Sequence, residues 1–377
     1  MKNILITGGA GFIGSSLALA LISRGYSVTV LDNLLPQVHG EDPNRDSYLW
    51  NRIKDKVRFL SGDVTSLADC REALRNQDAV IHLAAETGTG QSMYRISRYA
   101  AVNVSGTANL LDCLVNEKHS VKKFLVASSR AVYGEGKYQH PTLGPVYPGS
   151  RSPEAMTAGD FEVRYEDGEI LRPLPTDENS KLNPASVYGV TKQTQEQMVM
   201  SVCQSVDIDA VALRYQNVYG AGQSLLNPYT GILSVFSNQM LQGKPVEVFE
   251  DGVESRDFIY IDDAVRATIL ALENSKVKNN ILNVGSGIAT SVMDIAQNLR
   301  KSYNADVPIK ISGRFRLGDI RHNFAEMTHT QSILGFSAEV SLEEGLNRFC
   351  SWVLKQKFKD NRLEQSVEEM KARKLLF

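Results

Sequence analysis

Cysteine is scarce in this chain and never clustered: Cys70, Cys113, Cys203 and Cys350 are the four in 377 residues, and no two form a C-x-x-C pair. Singles scattered through apolar segments exclude a disulfide framework or a zinc knuckle and read as buried thiols in a reducing compartment. Histidine is equally thin, with six residues and no H-E-x-x-H, so no metal site is expected. No apolar run approaches the roughly 18–20 residues that span a bilayer, and the opening segment meets Gly8 before a signal-peptide core can form. A cytoplasmic protein without a membrane partner is expected. Charge of one sign is missing too. The 41 Lys and Arg against 43 Asp and Glu leave a formal charge of −2, without the global positive field that draws proteins to nucleic acid. With 42% hydrophobic residues the composition is that of an ordinary globular protein, and disorder is excluded. The length suits two domains.

What is present is a rhythm. Short apolar runs at Ile4–Thr7, Val28–Asp32, Val57–Leu60, Val80–Leu83, Phe124–Ser128 and Ala210–Arg214 alternate with helical spacing around Leu17–Ser23, Cys70–Arg75, Leu110–Val115 and Met198–Val202. Continuous apolar strands alternating with helices predict an α/β fold with a doubly wound parallel sheet. The rhythm breaks between about 135 and 182, which reads as a functional or mobile insertion. A first domain over 1–215, a smaller α+β domain over 216–350 and a charged helical tail over 351–377 are expected.

The strongest local motif is Thr7-Gly8-Gly9-Ala10-Gly11-Phe12-Ile13-Gly14, directly after the first strand. Glycines at 8, 11 and 14 suit a tight turn, close approach to a pyrophosphate and close helix–strand packing, with the helix N-terminus facing the phosphates. Asp32 ends the second strand, where a carboxylate binds the adenosine ribose hydroxyls and repels a 2′-phosphate, so the expected cofactor is NAD rather than NADP. Asp63 and Val64, after the third strand, are placed to meet the adenine, although a strand-end cap explains Asp63 as well.

Two Tyr-x-x-x-Lys pairs occur, and one is a decoy. Tyr133 and Lys137 flank two glycines, which disfavour a helix, whereas Tyr188 and Lys192 run into a helical stretch and share a face at i, i+4. Ionising a tyrosine of pKa ~10 at neutral pH costs roughly 4 kcal/mol, which an adjacent ammonium offsets in part. Ser128 and Ser129 place hydroxyls at the carboxyl edge of the sheet, where ligands of such folds bind.

These residues, with His82-Leu83-Ala84-Ala85, Leu213-Arg214-Tyr215-Gln216-Asn217-Val218-Tyr219-Gly220, Ser255-Arg256-Asp257-Phe258, Asn283-Val284-Gly285 and Arg316-Leu317-Gly318-Asp319, make the chain resemble the extended short-chain dehydrogenase/reductase family, specifically its nucleotide-sugar epimerases and dehydratases. The resemblance runs to about Cys350. It implies that Tyr188 transfers a proton, that Lys192 binds the nicotinamide ribose and lowers the tyrosine's pKa, and that Ser129 bonds the reacting sugar oxygen. By the same resemblance Leu83, Ala84, Ala85, Asn103 and Tyr215 join the cofactor site. Thr87, Gln91, Asn217, Arg256, Asn283, Arg316 and Asp319 join the site of a nucleotide-diphospho-sugar carrying dTDP or UDP.

Dehydratases of the family place an Asp-Glu pair where this chain has Arg130 and Ala131, so the resemblance favours epimerisation at C4 through a 4-keto sugar. It is most like the dTDP-L-rhamnose 4-epimerase subgroup, which interconverts dTDP-L-rhamnose and dTDP-6-deoxy-L-talose. A UDP-glucose/UDP-galactose-type 4-epimerase is the alternative, followed by a reductase or 2-epimerase. A silent NAD-binding scaffold is the reading of a different class, and intact Ser129, Tyr188 and Lys192 argue against it. Apolar residues Leu110, Leu111, Leu114, Met198, Val199 and Val202 exceed what one sheet face needs, so a homodimer is expected. Because Asp32 sets the cofactor preference, Asp32→Ala with Asn33→Arg is expected to weaken NAD and strengthen NADP in binding titrations. Tighter NADP binding by the parent protein would contradict the assignment.

Overall fold

The computed structural model describes residues 1–225, 231–356 and 363–377. Every run expected as a strand is one: Asn3–Thr7 (β1), Ser27–Asp32 (β2), Arg58–Ser61 (β3), Ala79–His82 (β4), Lys123–Ser129 (β5) and Asp209–Tyr215. They form one seven-stranded parallel sheet whose seventh member is Asn280–Val284, in the order Asn280–Val284, Asp209–Tyr215, β5, β4, β1, β2, β3. The order reverses between β4 and β1, so the carboxyl ends of those strands open a crevice beside the glycine loop, the place where such folds bind ligands. Helix Phe12–Ser23 (α1) follows β1, and the 19-residue helix Val187–Ser205 packs on β5.

The seventh strand corrects the expected domain boundary at 215. The chain leaves the sheet after Tyr215, but helix Ile261–Glu273 packs on α1 and the chain then re-enters the sheet at Asn280. The second domain is therefore interrupted rather than a single span. It holds a small sheet built from Asn217–Tyr219, Ser255–Tyr260, Ala289–Ser291 and His322–Asn323, with helices Val292–Tyr303 and Leu342–Val353.

The insertion folds into three short antiparallel strands, Tyr138–His140, Gly144–Val146 and Arg172–Pro173. It is bolted to the second domain by buried charges. Arg151 bonds Glu250 at 2.8 and 2.9 Å, and Glu135 accepts from the backbone amide of Arg321, itself fully buried, at 2.8 Å. The tail forms helix Leu363–Ala372, as expected, but its end is docked rather than free. Phe377 stacks on Phe315 at 5.3 Å and exchanges backbone hydrogen bonds with it, while Met370 and Leu376 are buried.

All four cysteines are free and buried. Among the described residues, no helix is long and apolar enough to cross a membrane. Leu110, Leu111, Leu114 and Val199 are 3% exposed or less and pack within one cluster under the sheet. Met198 and Val202 are partly buried against the same cluster.

One buried ion pair fastens the long helix to the sheet. Arg214, on the strand Asp209–Tyr215, grips Glu196 through two bonds of 2.6 and 3.0 Å, and Ser128 at the end of β5 donates to the same carboxylate at 2.6 Å. Both charged side chains are 2% exposed. Glu196→Ala leaves the Arg214 cation stranded in the interior and is expected to cost roughly 3–5 kcal/mol of stability, measured by urea unfolding. Glu196→Leu with Arg214→Met removes both charges and is expected to be less damaging than either single change.

Candidate active site

The crevice holds a cavity of about 500 Å³ that runs from the glycine loop to the ends of β5 and the Asp209–Tyr215 strand. At one end, Gly8 sits at φ +67°, and a Cβ there would lie 2.7 Å from the Ala84 nitrogen. A Cβ on Gly14 would lie 2.5 Å from the Gly8 carbonyl. These contacts pin the loop against β4 and α1, and side chains larger than hydrogen are excluded. Gly11 starts α1 without a side-chain cap, and no acid stands in the first turn. The bare amides and the helix dipole therefore face the cavity as an anion site that fits a dinucleotide's pyrophosphate.

Asp32 is held by amide donors from Ala10 at 3.0 Å and Leu34 at 2.9 Å. Burial pushes its carboxyl up, while these donors and the His39 ring pull it back. Its place at the end of β2, lining the cavity with Asn33, fits the ribose role. Asn33 in turn donates to Asp63 at 2.8 Å, and Asp63 and Val64 line the same wall. Phe12, Ile13, Leu83, Ala84, Ala85 and Tyr215, expected as cofactor residues, and Thr87, expected as a substrate residue, also face the cavity.

The other end is built by the long helix. Ser186 caps it, its hydroxyl accepting from the Gly189 amide at 3.2 Å. A Cβ on Gly189 would lie 2.6 Å from the Ala131 carbonyl, so only glycine lets the helix press against the Arg130–Tyr133 turn that follows Ser129. That approach brings Ser129, Tyr188 and Lys192 to one wall of the cavity. The Tyr188 ring stands edge-on to Tyr99 at 6.5 Å, and the Tyr99 hydroxyl holds the Thr87 and Gly88 carbonyls at 2.5 and 3.0 Å. Burial raises the Tyr188 pKa, and the Ser129 hydroxyl and the Arg130 cation pull it down. Burial also lowers the Lys192 pKa, to about 7. Its ammonium donates to the Ala127 carbonyl at 2.8 Å and to Gln195 at 2.9 Å.

The second Tyr-Lys pair is structural. Tyr133 is 1% exposed. Its hydroxyl donates to Asn283 at 2.8 Å and accepts from Arg214 at 3.0 Å. Lys137 instead pairs with Asp177 at 2.7 Å.

Several expected ligand residues do not line the cavity. Asn283 is sealed behind it, its amide donating to the Thr176 and Glu326 carbonyls and accepting from Tyr133. Asn103 is equally enclosed, bonding the Glu86 amide at 2.8 Å and Thr191 at 2.9 Å. It ties the loop after β4 to the long helix and shapes the site without touching its contents. Gln91 is buried, with Gln37 within 3.4 Å. Arg256, Arg316 and Asp319 lie on the second domain beyond the cavity lining. Arg256 donates to the Ser255 and Arg321 carbonyls, Arg316 lies over the Phe249 ring at 5.0 Å, and the Asp319 carbonyl accepts from Arg151. Asn217, by contrast, does line the cavity.

Two residues that the sequence did not single out as ligands stand there too. Gln216 lines the cavity with neither end of its amide bonded, and Arg130 lines it with a buried nitrogen lacking an acceptor. Gln216 lies between Tyr215 and Asn217, a placement that marks it in retrospect. Among the described residues no three metal-ligating side chains gather.

The chain matches the model of the NAD dependent epimerase/dehydratase family over residues 4–159 and 164–285. It is 38% identical to the dTDP-L-rhamnose 4-epimerase of Burkholderia thailandensis, covering 94% of this chain and 96% of that one. Among solved structures it resembles the UDP-glucose 4-epimerase of Thermotoga maritima with UDP-glucose, at a TM-score of 0.76 and 29% identity over 94% of this chain and 99% of that one. It also resembles the UDP-glucuronic acid 4-epimerase of Bacillus cereus with UDP-glucuronic acid and NAD, at a TM-score of 0.74 and 28% identity, again over 94% and 99%. A match of this extent, laid over a cleft that fits the dinucleotide, means that the chain belongs to the NAD dependent epimerase/dehydratase family and uses NAD as its cofactor.

Proposed function

We propose that the protein interconverts the C4 epimers of a nucleotide-diphospho-sugar, with dTDP-L-rhamnose and dTDP-6-deoxy-L-talose as its pair. The observation that carries the reaction type is the meeting of Ser129, Tyr188 and Lys192 on one wall of the dinucleotide cleft. NAD, when bound, accepts and returns the hydride at C4. The Tyr188 oxygen takes the proton from the sugar 4-hydroxyl as that hydride leaves and gives it back as the hydride returns. Ser129 donates to the same sugar oxygen and holds it against the tyrosine. Lys192 turns its ammonium from the Ala127 carbonyl toward the cofactor ribose, where its charge lowers the cost of the tyrosinate.

Inversion requires the sugar to present its other face between the two transfers. The chain must then hold the nucleotide firmly and the sugar loosely. Arg130 and Ala131 stand where an elimination would need acids, and neither can take a proton from C5. Support for the dTDP-sugar comes from the 38% identity to the Burkholderia enzyme, against 31% to the putative UDP-glucose 4-epimerase of Methanocaldococcus jannaschii.

Incubation with dTDP-L-rhamnose, UDP-glucose, UDP-glucuronate and the corresponding GDP- and CDP-sugars, read by NMR, is expected to show inversion at C4 of dTDP-L-rhamnose. Turnover of UDP-glucose alone would transfer the assignment to that sugar. Tyr188→Phe is expected to lower turnover by about 10²–10⁴-fold while NAD stays bound, and Lys192→Ala to lower both turnover and NAD affinity. Tyr133→Phe removes the buried hydrogen bonds to Asn283 and from Arg214, so it is expected to cost about 1–3 kcal/mol of stability and little turnover, measured by thermal unfolding beside initial rates. Equal loss of turnover at 133 and 188 would overturn the assignment of the base.

A further inference from the structure

Arg130 is a cation that no carboxylate bonds, although the charges of Asp319 and Asp257 act on it from a distance. Its Nε donates to the Asn217 side-chain oxygen at 2.6 Å. One of its terminal nitrogens is shut off from solvent with no acceptor, and the side chain forms no ion pair among the described residues. Burial pushes its pKa down, and the neighbouring Arg256 guanidinium adds to the effect, to about 9. Arg130 is therefore still ionised at neutral pH. A buried donor without an acceptor destabilises the fold, and so does a buried charge without a bonded counter-ion. An anion entering the cleft relieves both.

Its neighbours say where that anion lies. Arg130 follows Ser129 directly, at the end of the cleft that holds the reacting sugar. Asn217, which it grips, pairs with Phe258 on the strand that carries Arg256 two residues earlier. The Arg256 guanidinium, just beyond the cavity lining, thus repels that of Arg130 on the lining, and no carboxylate is bonded to either. Planar, forked donors of this kind are matched to phosphate oxygens.

We propose that Arg130 is a substrate-binding residue that takes the sugar-linked phosphate of the nucleotide-sugar, so that the site discriminates a nucleoside diphosphate from a monophosphate. This rests on the reading of the substrate as a nucleotide-diphospho-sugar. The sugar-linked phosphate is the one next to the ring that meets Ser129, whereas the nucleoside-linked phosphate lies farther away.

The test uses the NAD-saturated protein and calorimetric titration with dTDP, dTMP, UDP and UMP, for the parent, Arg130→Met and Arg130→Lys. The parent is expected to bind its diphosphate more tightly than the monophosphate. Arg130→Met is expected to lose roughly thirtyfold or more in diphosphate affinity with little change for the monophosphate. Arg130→Lys is expected to keep part of the affinity, and KM for the nucleotide-sugar to rise more than kcat falls. NAD content and circular dichroism confirm folding, and the Lys variant carries the measurement if the Met variant is unstable.

Undiminished diphosphate affinity in folded variants would overturn the assignment. If kcat then fell with a shifted pH profile, the cation would belong to Tyr188. If only UDP-glucuronate turnover fell, it would belong to a sugar carboxylate. A parent that binds no nucleoside diphosphate would overturn the substrate reading and this assignment together.

Discussion

The catalytic wall depends on a charge pair that never meets the substrate. Glu196 lies one helical turn beyond Lys192 and two beyond Tyr188, so the bidentate bond from Arg214 fixes the rotation of the helix that carries both. Surface pairs are typically worth under about 1 kcal/mol and would tolerate a roll of the helix. A pair buried at 2% exposure does not, because any rotation strands two charges in the core. Ser128 adds the end of β5 to the same carboxylate, and Tyr133 adds the turn after it. Helix, turn and strand ends are thereby held in one register, and Ser129 faces Tyr188 as a consequence.

This arrangement explains why the sequence carries two Tyr-x-x-x-Lys pairs. Both tyrosines serve the same wall, one in front of it and one behind. Tyr188 opens onto the cavity, while Tyr133 closes the polar cluster around Arg214 and Asn283. The glycines that flank Tyr133 in sequence deny it a helix, and the absence of that helix sufficed to set it apart.

Much of the rest was legible for a simple physical reason. Parallel strands buried on both faces read as unbroken apolar runs, and the phosphate loop needs glycine where no other residue fits, so six strands and the cofactor end appear in the sequence itself. Asn103, Gln91 and Asn283 were not legible in the same way. An asparagine has the same donors and acceptors whether it faces a ligand or a backbone carbonyl, and only the packing decides which. The return of the chain at Asn280–Val284 was hidden because a strand that closes a sheet from a distance looks like any strand of a second domain. The apolar faces of the helices were legible as faces but not by their partners, since their neighbours under the sheet come from segments far along the chain. Arg130 was visible only as the absence of an acid, and its unpaired nitrogen appears only once the cleft is built.

The late return of the seventh strand has a consequence for how the chain is made. Asp209–Tyr215 pairs on one side with β5, already synthesised, but its other edge waits for Asn280–Val284. At about 5–20 residues per second, a ribosome needs roughly 3–13 s to supply that partner. Throughout that interval Asp209–Tyr215 is the outer strand of the sheet, and an open strand edge is the kind of surface that templates association with neighbouring chains. Asn280–Val284 then takes over as the edge, with five residues in place of seven. The order of strands thus exchanges a longer exposed edge for a shorter one late in synthesis, whatever the chemistry of the finished enzyme.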